Sequence, residues 1–147
     1  NNTVLGYDAD ASSATVSNEI TLGNSSVATL RCQVTSITSL SDERDKTDIQ
    51  PLSGGLNLIE ALRPVSFTWD MRDGGKVGVE DTGFIAQELQ QAQEDTGITI
   101  PNLVYDNNPD KLEASYGALI PVLVKSMQDQ QAQIRDLQSE IKKLKGN

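Results

Sequence analysis

A serine and a lysine stand five residues apart in Ser41-Asp42-Glu43-Arg44-Asp45-Lys46-Thr47-Asp48-Ile49, crowded by carboxylates. A serine hydroxyl attacks a carbonyl only when a base takes its proton. The chain contains no histidine. That removes the Ser-His-Asp and Cys-His arrangements and most zinc sites, so any nucleophilic chemistry here must use lysine or a carboxylate as base. On charge alone the same nine residues also read as a solvated turn.

Composition narrows the partners. The net charge is −9, and the pI is about 4.3, which argues against nucleic acid or an anionic membrane surface. No stretch is apolar for long enough to cross a bilayer, and the first residues do not read as a signal peptide. Cys32 is the single cysteine, so neither an internal disulfide framework nor a cysteine metal cluster is expected. Hydrophobic residues make up 37% and aromatic ones 4%, so one chain has a modest core and gains from partner chains that cover more surface.

The elements that must position the nine-residue stretch lie on both sides of it. Before it, Val4-Leu5-Gly6-Tyr7 returns as Thr21-Leu22-Gly23-Asn24. A short strand and then a glycine-permitted bend, repeated, suits a β-solenoid or an interwound β-fibre. Three chains wound together would cover the strand edges that one chain exposes. Residues 33–40 are β-branched and alternating and read as a last strand that delivers Leu40 to Ser41. The opening in mid-repeat reads as the C-terminal part of a longer protein.

After the stretch, Pro51–Gly55 reads as a turn and Leu56–Leu62 as a short helix stopped by Arg63-Pro64. Val65, Phe67, Trp69 and Met71 alternate, which predicts a half-buried strand with Trp69 in the core. Asp73-Gly74-Gly75 turns it into a second strand near Lys76–Val79. Thr82 reads as the N-cap of a helix carrying Phe84, Ile85, Leu89 and Ala92 on one face and closed by Gly97. Residues 103–106 and 111–116 read as another hairpin, its Asp/Asn turn lacking the ligand spacing of a calcium loop. In the last segment Ile120, Met127, Ile134 and Ile141 recur every seven residues, as do Leu123, Gln130, Leu137 and Leu144. Pro121 fits the first turn. So narrow an apolar stripe on a long polar helix implies self-association; isoleucine at a with leucine at d favours two strands by the usual rule.

Four stretches together resemble one family. They are the nine residues from Ser41, then Leu62-Arg63-Pro64-Val65-Ser66-Phe67-Thr68-Trp69, Gly83-Phe84-Ile85-Ala86-Gln87-Glu88-Leu89, and Tyr116-Gly117-Ala118-Leu119-Ile120-Pro121-Val122-Leu123. They resemble the S74-type intramolecular chaperone domains of phage tailspikes and tail fibres, a type also found in endosialidase tailspikes, neck appendages and myelin regulatory factor. The resemblance implies an α+β fold in three parts: residues 1–40 as the end of a triple-stranded β-helix-like passenger stalk, 41–118 as the globular chaperone and auto-protease, and 119–147 as a coiled-coil helix. It implies a homotrimer that registers the passenger fibre of the same polypeptide and then cuts itself free once per chain between Leu40 and Ser41. Ser41 and Lys46 correspond to the family's Ser-Lys dyad. Arg44 is a supporting cation to favour the neutral lysine, and Asp42 a supporting neighbour that opposes this unless it points away. No cofactor or metal is implied, nor nucleic acid or membrane insertion. The setting is a virion tail-fibre or tailspike precursor assembled in the host cytoplasm. A passive trimerisation and receptor-binding tip would use the same stalk and coil without chemistry.

Overall fold

The structure is a computed structural model and describes residues 1–34 and 36–146. It is α+β, with three two-stranded sheets among the described residues and a long C-terminal helix. Two compact units are present: Asn1–Pro51 with Phe67–Asp81, and Leu52–Ser66 with Thr82–Asn147.

In the first unit the sequence repeat becomes a stacked ladder. Strand β1 (Thr3–Leu5) pairs in parallel with β2 (Ile20–Leu22), setting Thr3 on Ile20, Val4 on Thr21 and Leu5 on Leu22. The corner after each strand is a glycine with positive φ, +134° at Gly6 and +76° at Gly23. The two corners lie so close that a Cβ on Gly6 would stand 3.0 Å from the Gly23 Cα, so both φ and space demand glycine. Side chains tie the coils at the same spacing. Asn1 Nδ2 donates to Asn18 Oδ1 at 3.0 Å, and Asn24 Nδ2 to the Tyr7 carbonyl at 3.1 Å. Glu19 accepts from the Ser12 amide and hydroxyl and from the Thr21 hydroxyl, which hold its carboxyl below the usual glutamate range, the Ser12 hydroxyl first.

The last strand expected before Ser41 is absent. The described residues of 33–40 form no strand and are exposed, Ile37 by 97% and Leu40 by 98%; Thr35 lies outside the described residues. β-Propensity needs a paired neighbour to act on, and the described residues of this stretch are paired with no strand.

Strand β3 (Val65–Asp70) pairs with β4 (Val77–Gly83) across the Asp73-Gly74-Gly75 turn. The alternation is as read, with Val65, Phe67, Trp69 and Met71 half-buried between exposed neighbours. Trp69, however, lies outside the core. Its Nε1 donates to Asp81 Oδ2 at 3.1 Å, its ring meets Phe67 edge-on, and Lys76 Nζ stands 4.7 Å from its ring centroid. A two-stranded sheet offers one face and little to cover it. At the turn a Cβ on Gly75 would lie 2.2 Å from Ser25 Oγ, so this tip rests on the chain just past β2.

The second unit holds the core: Leu58, Leu89, Ala92, Ile100, Leu103, Leu119 and Val122. Helix α1 (Leu56–Ala61) packs on α3 (Ile120–Lys145), closely enough that a Cβ on Gly55 would meet Ser126 Oγ and the Val122 carbonyl at 2.9 Å. Helix α2 is Ala86–Thr96. Its start corrects the expected one. Thr82 and Gly83 complete β4, and the residue before the helix is Ile85, extended and without a side-chain cap. The cause is Tyr116. Its hydroxyl donates to the Phe84 carbonyl and accepts from the Phe84 amide, both at 3.1 Å, so both backbone groups of Phe84 are engaged outside a helix. Gly97 closes α2 in the left-handed region, φ +67°, as expected. Strands β5 (Val104–Tyr105) and β6 (Glu113–Ala114) form the second hairpin, antiparallel. Pro121 sits in the first turn of α3. That helix turns Val122 and Ser126 inward, and leaves Ile120, Leu123, Met127, Ile134, Leu137, Ile141 and Leu144 exposed.

Candidate active site

Ser41 and Lys46 are brought together by a single turn. Five residues of extended chain would separate them by roughly 17 Å. Instead Glu43–Asp45 form one turn of 3-10 helix, which rises only about 2 Å per residue. Asp42 begins it from an extended conformation, its Oδ1 accepting from the Arg44 amide at 2.9 Å. Lys46 leaves it, again extended, with its amide on the Glu43 carbonyl at 3.1 Å. The two extended residues flank the turn like the sides of a hook, and the lysine side chain closes it. Lys46 Nζ donates to Ser41 Oγ at 2.7 Å and to the Ser41 carbonyl at 3.1 Å.

The surrounding acids are partly spoken for. Arg44 grips Asp42 with two contacts, Nε to Oδ1 at 3.0 Å and Nη2 to Oδ2 at 2.6 Å. Asp42 is therefore held below the usual carboxylate range, first by the Arg44 side chain and then by its amide, and Arg44 is raised by Asp42 in return. Among the described residues Lys46 makes no ion pair. The guanidinium read as a supporting cation has its charge offset by Asp42, and the carboxylate of Asp42 is turned to arginine.

The site lies open. Every residue from Leu40 to Thr47 is exposed. Near the Leu40 carbonyl the one donor in the described contacts is the Ser39 hydroxyl, at 3.5 Å, too long to count for much. Chemically the arrangement offers a hydroxyl and an amine in contact, next to an accessible peptide bond. It lacks a dry environment and a strong oxyanion donor.

Among the other described residues no side-chain group rivals it. Among the described residues no set of three or more His, Cys, Asp or Glu is placed to hold a metal, and no helix is long and apolar enough to cross a membrane. Reading the residues in order missed the Tyr116–Phe84 clasp. A Cβ on Gly83 would stand 2.6 Å from the Tyr116 hydroxyl, which explains a glycine at that place. The signal lay in two of the quoted stretches, but nothing local links them. It also missed the Asn1–Asn18 and Tyr7–Asn24 ties, although their spacing equals that of the strand repeat.

Residues 41–104 match the peptidase S74 family, whose description is the chaperone of endosialidase. That is the family the four stretches resemble, and three of the four lie within the matched residues. No curated protein and no solved structure matches the chain.

Proposed function

We propose that the chain is an intramolecular chaperone that assembles as a trimer, aligns a β-fibre passenger ending at residue 40, and releases it by cutting the Leu40–Ser41 bond. The parts are the passenger stalk at 1–40, the chaperone and auto-protease at 41–118 and the coil at 119–147. The fitting setting is a phage tail-fibre or tailspike precursor. The observation that carries the chemistry is the 2.7 Å contact of Lys46 Nζ with Ser41 Oγ, at the first residues of the family match.

Ser41 is the nucleophile and Lys46 the base. A neutral Lys46 amine takes the hydroxyl proton, and Ser41 Oγ attacks the Leu40 carbonyl carbon through a five-membered ring. The bond from that carbon to the Ser41 nitrogen breaks, and the proton returns from Lys46 to that nitrogen. The product is an ester of Leu40 on Ser41 with a free Ser41 amine. Water then cleaves the ester, leaving a Leu40 carboxylate and the Ser41 hydroxyl.

Two observations support the assembly in this reading. Exposed Ile120, Leu123, Met127, Ile134, Leu137, Ile141 and Leu144 form the seam that a second and third copy would cover. In addition, no described residue of the first unit is fully buried, so its apolar side chains lack cover in one chain. Flat repetitive strands specify their register weakly, and a trimer clamp supplies alignment and effective concentration.

The test is the full chain on a denaturing gel. Cleavage divides the 15.9 kDa chain after residue 40, giving bands of roughly 4 and 12 kDa in proportion to length. Ser41→Ala should give one band from an intact trimer. A single band from the unmodified protein after assembly favours the passive receptor-binding tip, and cleavage of Ser41→Ala at the same bond removes Ser41 as nucleophile.

A further inference from the structure

The parallel ladder has a third row. β1 and β2 repeat with an offset of seventeen residues, which the Asn1–Asn18 and Asn24–Tyr7 ties share. Moving Ile20, Thr21, Leu22 and Gly23 forward by the same offset gives Ile37, Thr38, Ser39 and Leu40. Ile37 and Thr38 match Ile20 and Thr21 in kind. The connection from Leu22 to Ile37 is as long as that from Leu5 to Ile20, so it spans the same coil. β2 has β1 on one edge and no strand on the other among the described residues. The occupant of the third row, Ile37–Leu40, lies unpaired and exposed.

The corner breaks the pattern. Both earlier rows end on a glycine with positive φ. The third ends on Leu40, the residue whose carbonyl is attacked. An L-residue with a Cβ is strained in that conformation, and a bulky one most of all. At the second corner the Gly23 amide donates to the Leu5 carbonyl at 2.8 Å. By the same offset the Leu40 amide would donate to the Leu22 carbonyl, which anchors Leu40 and leaves its own carbonyl past the ladder at the turn.

We infer that Ile37–Ser39 dock on the free edge of β2 in the assembled precursor as a third rung of the same chain, and that this forces Leu40 into the strained corner, selecting the Leu40–Ser41 bond for attack. The inference rests on the proposed cleavage and adds its control. Ile37, Thr38 and Ser39 are positioning residues. The strain is present only when the last rung has stacked, so it reports that the passenger is in register. Cutting the bond frees Leu40 from the corner and releases the strain.

The Leu40 series separates strain from side-chain recognition, read as the cleavage rate of assembled full-length protein. Leu40→Gly removes the strain and should slow cleavage at least about tenfold. Leu40→Ala keeps the Cβ while discarding the side chain, and should stay within about threefold of the unmodified rate. Equal rates for glycine and leucine, or equal slowing by glycine and alanine, overturn the inference. Hydrogen exchange on assembled, uncut Ser41→Ala gives a readout independent of cleavage: the Leu40 amide should be protected to the degree of the Gly23 amide, and free exchange there overturns the third rung. Chain identity comes from Thr21→Cys with Thr38→Cys in a Cys32→Ser, Ser41→Ala background. Oxidation should yield a disulfide within one chain, running as a single-chain band without reductant; chains linked to one another would mean that a neighbouring copy supplies the rung, against the inference. Failure of the dyad itself shows separately, as cleavage in Ser41→Ala, whereas cleavage that needs Ser41 but ignores Leu40→Gly removes only the rung.

Discussion

Asp42 decides what the site lysine meets. By engaging Arg44 through both oxygens it removes one carboxylate and offsets one cation, and its other task is to cap the turn that carries Lys46 back to Ser41. Lys46 is the group in contact with the hydroxyl, and the proposed base must be able to lose its proton. Lys46→Arg keeps the positive charge, but a guanidinium stays protonated. Cleavage in this variant should be undetectable by gel over a time in which the unmodified protein is fully cut; a normal rate would show that Lys46 only positions Ser41. Acid acts elsewhere in the same unit. The folded Glu19 carboxyl lies below its ordinary value of 4.5, chiefly through the Ser12 hydroxyl. A carboxylate depressed on folding stabilises the folded state fully above its unfolded pKa, and that contribution is lost as pH falls through the lower folded value. The β1–β2 coil should thus loosen below about pH 4.5, seen as faster hydrogen exchange at Ile20–Leu22. Glu19→Gln should flatten that dependence, and an unchanged acid response in the variant would assign it to another group.

At the scale of elements, α3 serves two surfaces at once. Its Val122–Ser126 face packs on α1, and its heptad stripe points to solvent along the helix. The two faces make separable predictions. Ile134 and Leu137 touch nothing in the core, so replacing both with Asp should leave the monomer fold intact. In an assembled seam each unpaired buried charge would cost about 3–5 kcal/mol. Light scattering or sedimentation should therefore show smaller species with unchanged far-ultraviolet circular dichroism. A persistent trimer would mean that other surfaces hold the copies together.

For the whole molecule, the proposed cleavage should wait on assembly, because the site lies open in one chain. In one chain Ser41 and Lys46 touch but stand in water, and burial is what favours a neutral amine. A cut made before the stalk aligned would free the passenger while its strands were still unregistered. Cleavage should follow assembly, with a rate independent of protein concentration once trimers exist. Variants of Ile134 and Leu137 that stay monomeric should remain uncut, with Ser41 and Lys46 untouched. Time-resolved gels run beside sedimentation test this; a monomer that cuts at the unmodified rate would return the reaction to the nine-residue stretch alone.

Features that repeat along the chain were legible from sequence. The strand repeat reappears as the register of β1 on β2, the alternation from Val65 to Met71 as half-buried and exposed residues, and the terminal heptads as one stripe of α3. Each follows from backbone geometry, which assigns every residue a direction from its neighbours alone. Gly97 was legible for the same reason, since a helix end needs a left-handed residue wherever it occurs. Tertiary structure decided what depends on distant partners. Thr82 looks like a cap, but Tyr116 takes both backbone groups of Phe84 and α2 starts only at Ala86. The alternating residues before Ser41 have strand character, but the described ones are paired with no strand and stay outside the sheets. Trp69 has the spacing of a core residue, yet the core formed around Leu58, Leu89, Leu103 and Val122, where helices close over one another. Local pattern tells which way a side chain points; only the folded chain supplies what it points at, because burial is a property of surfaces that meet from far apart in sequence.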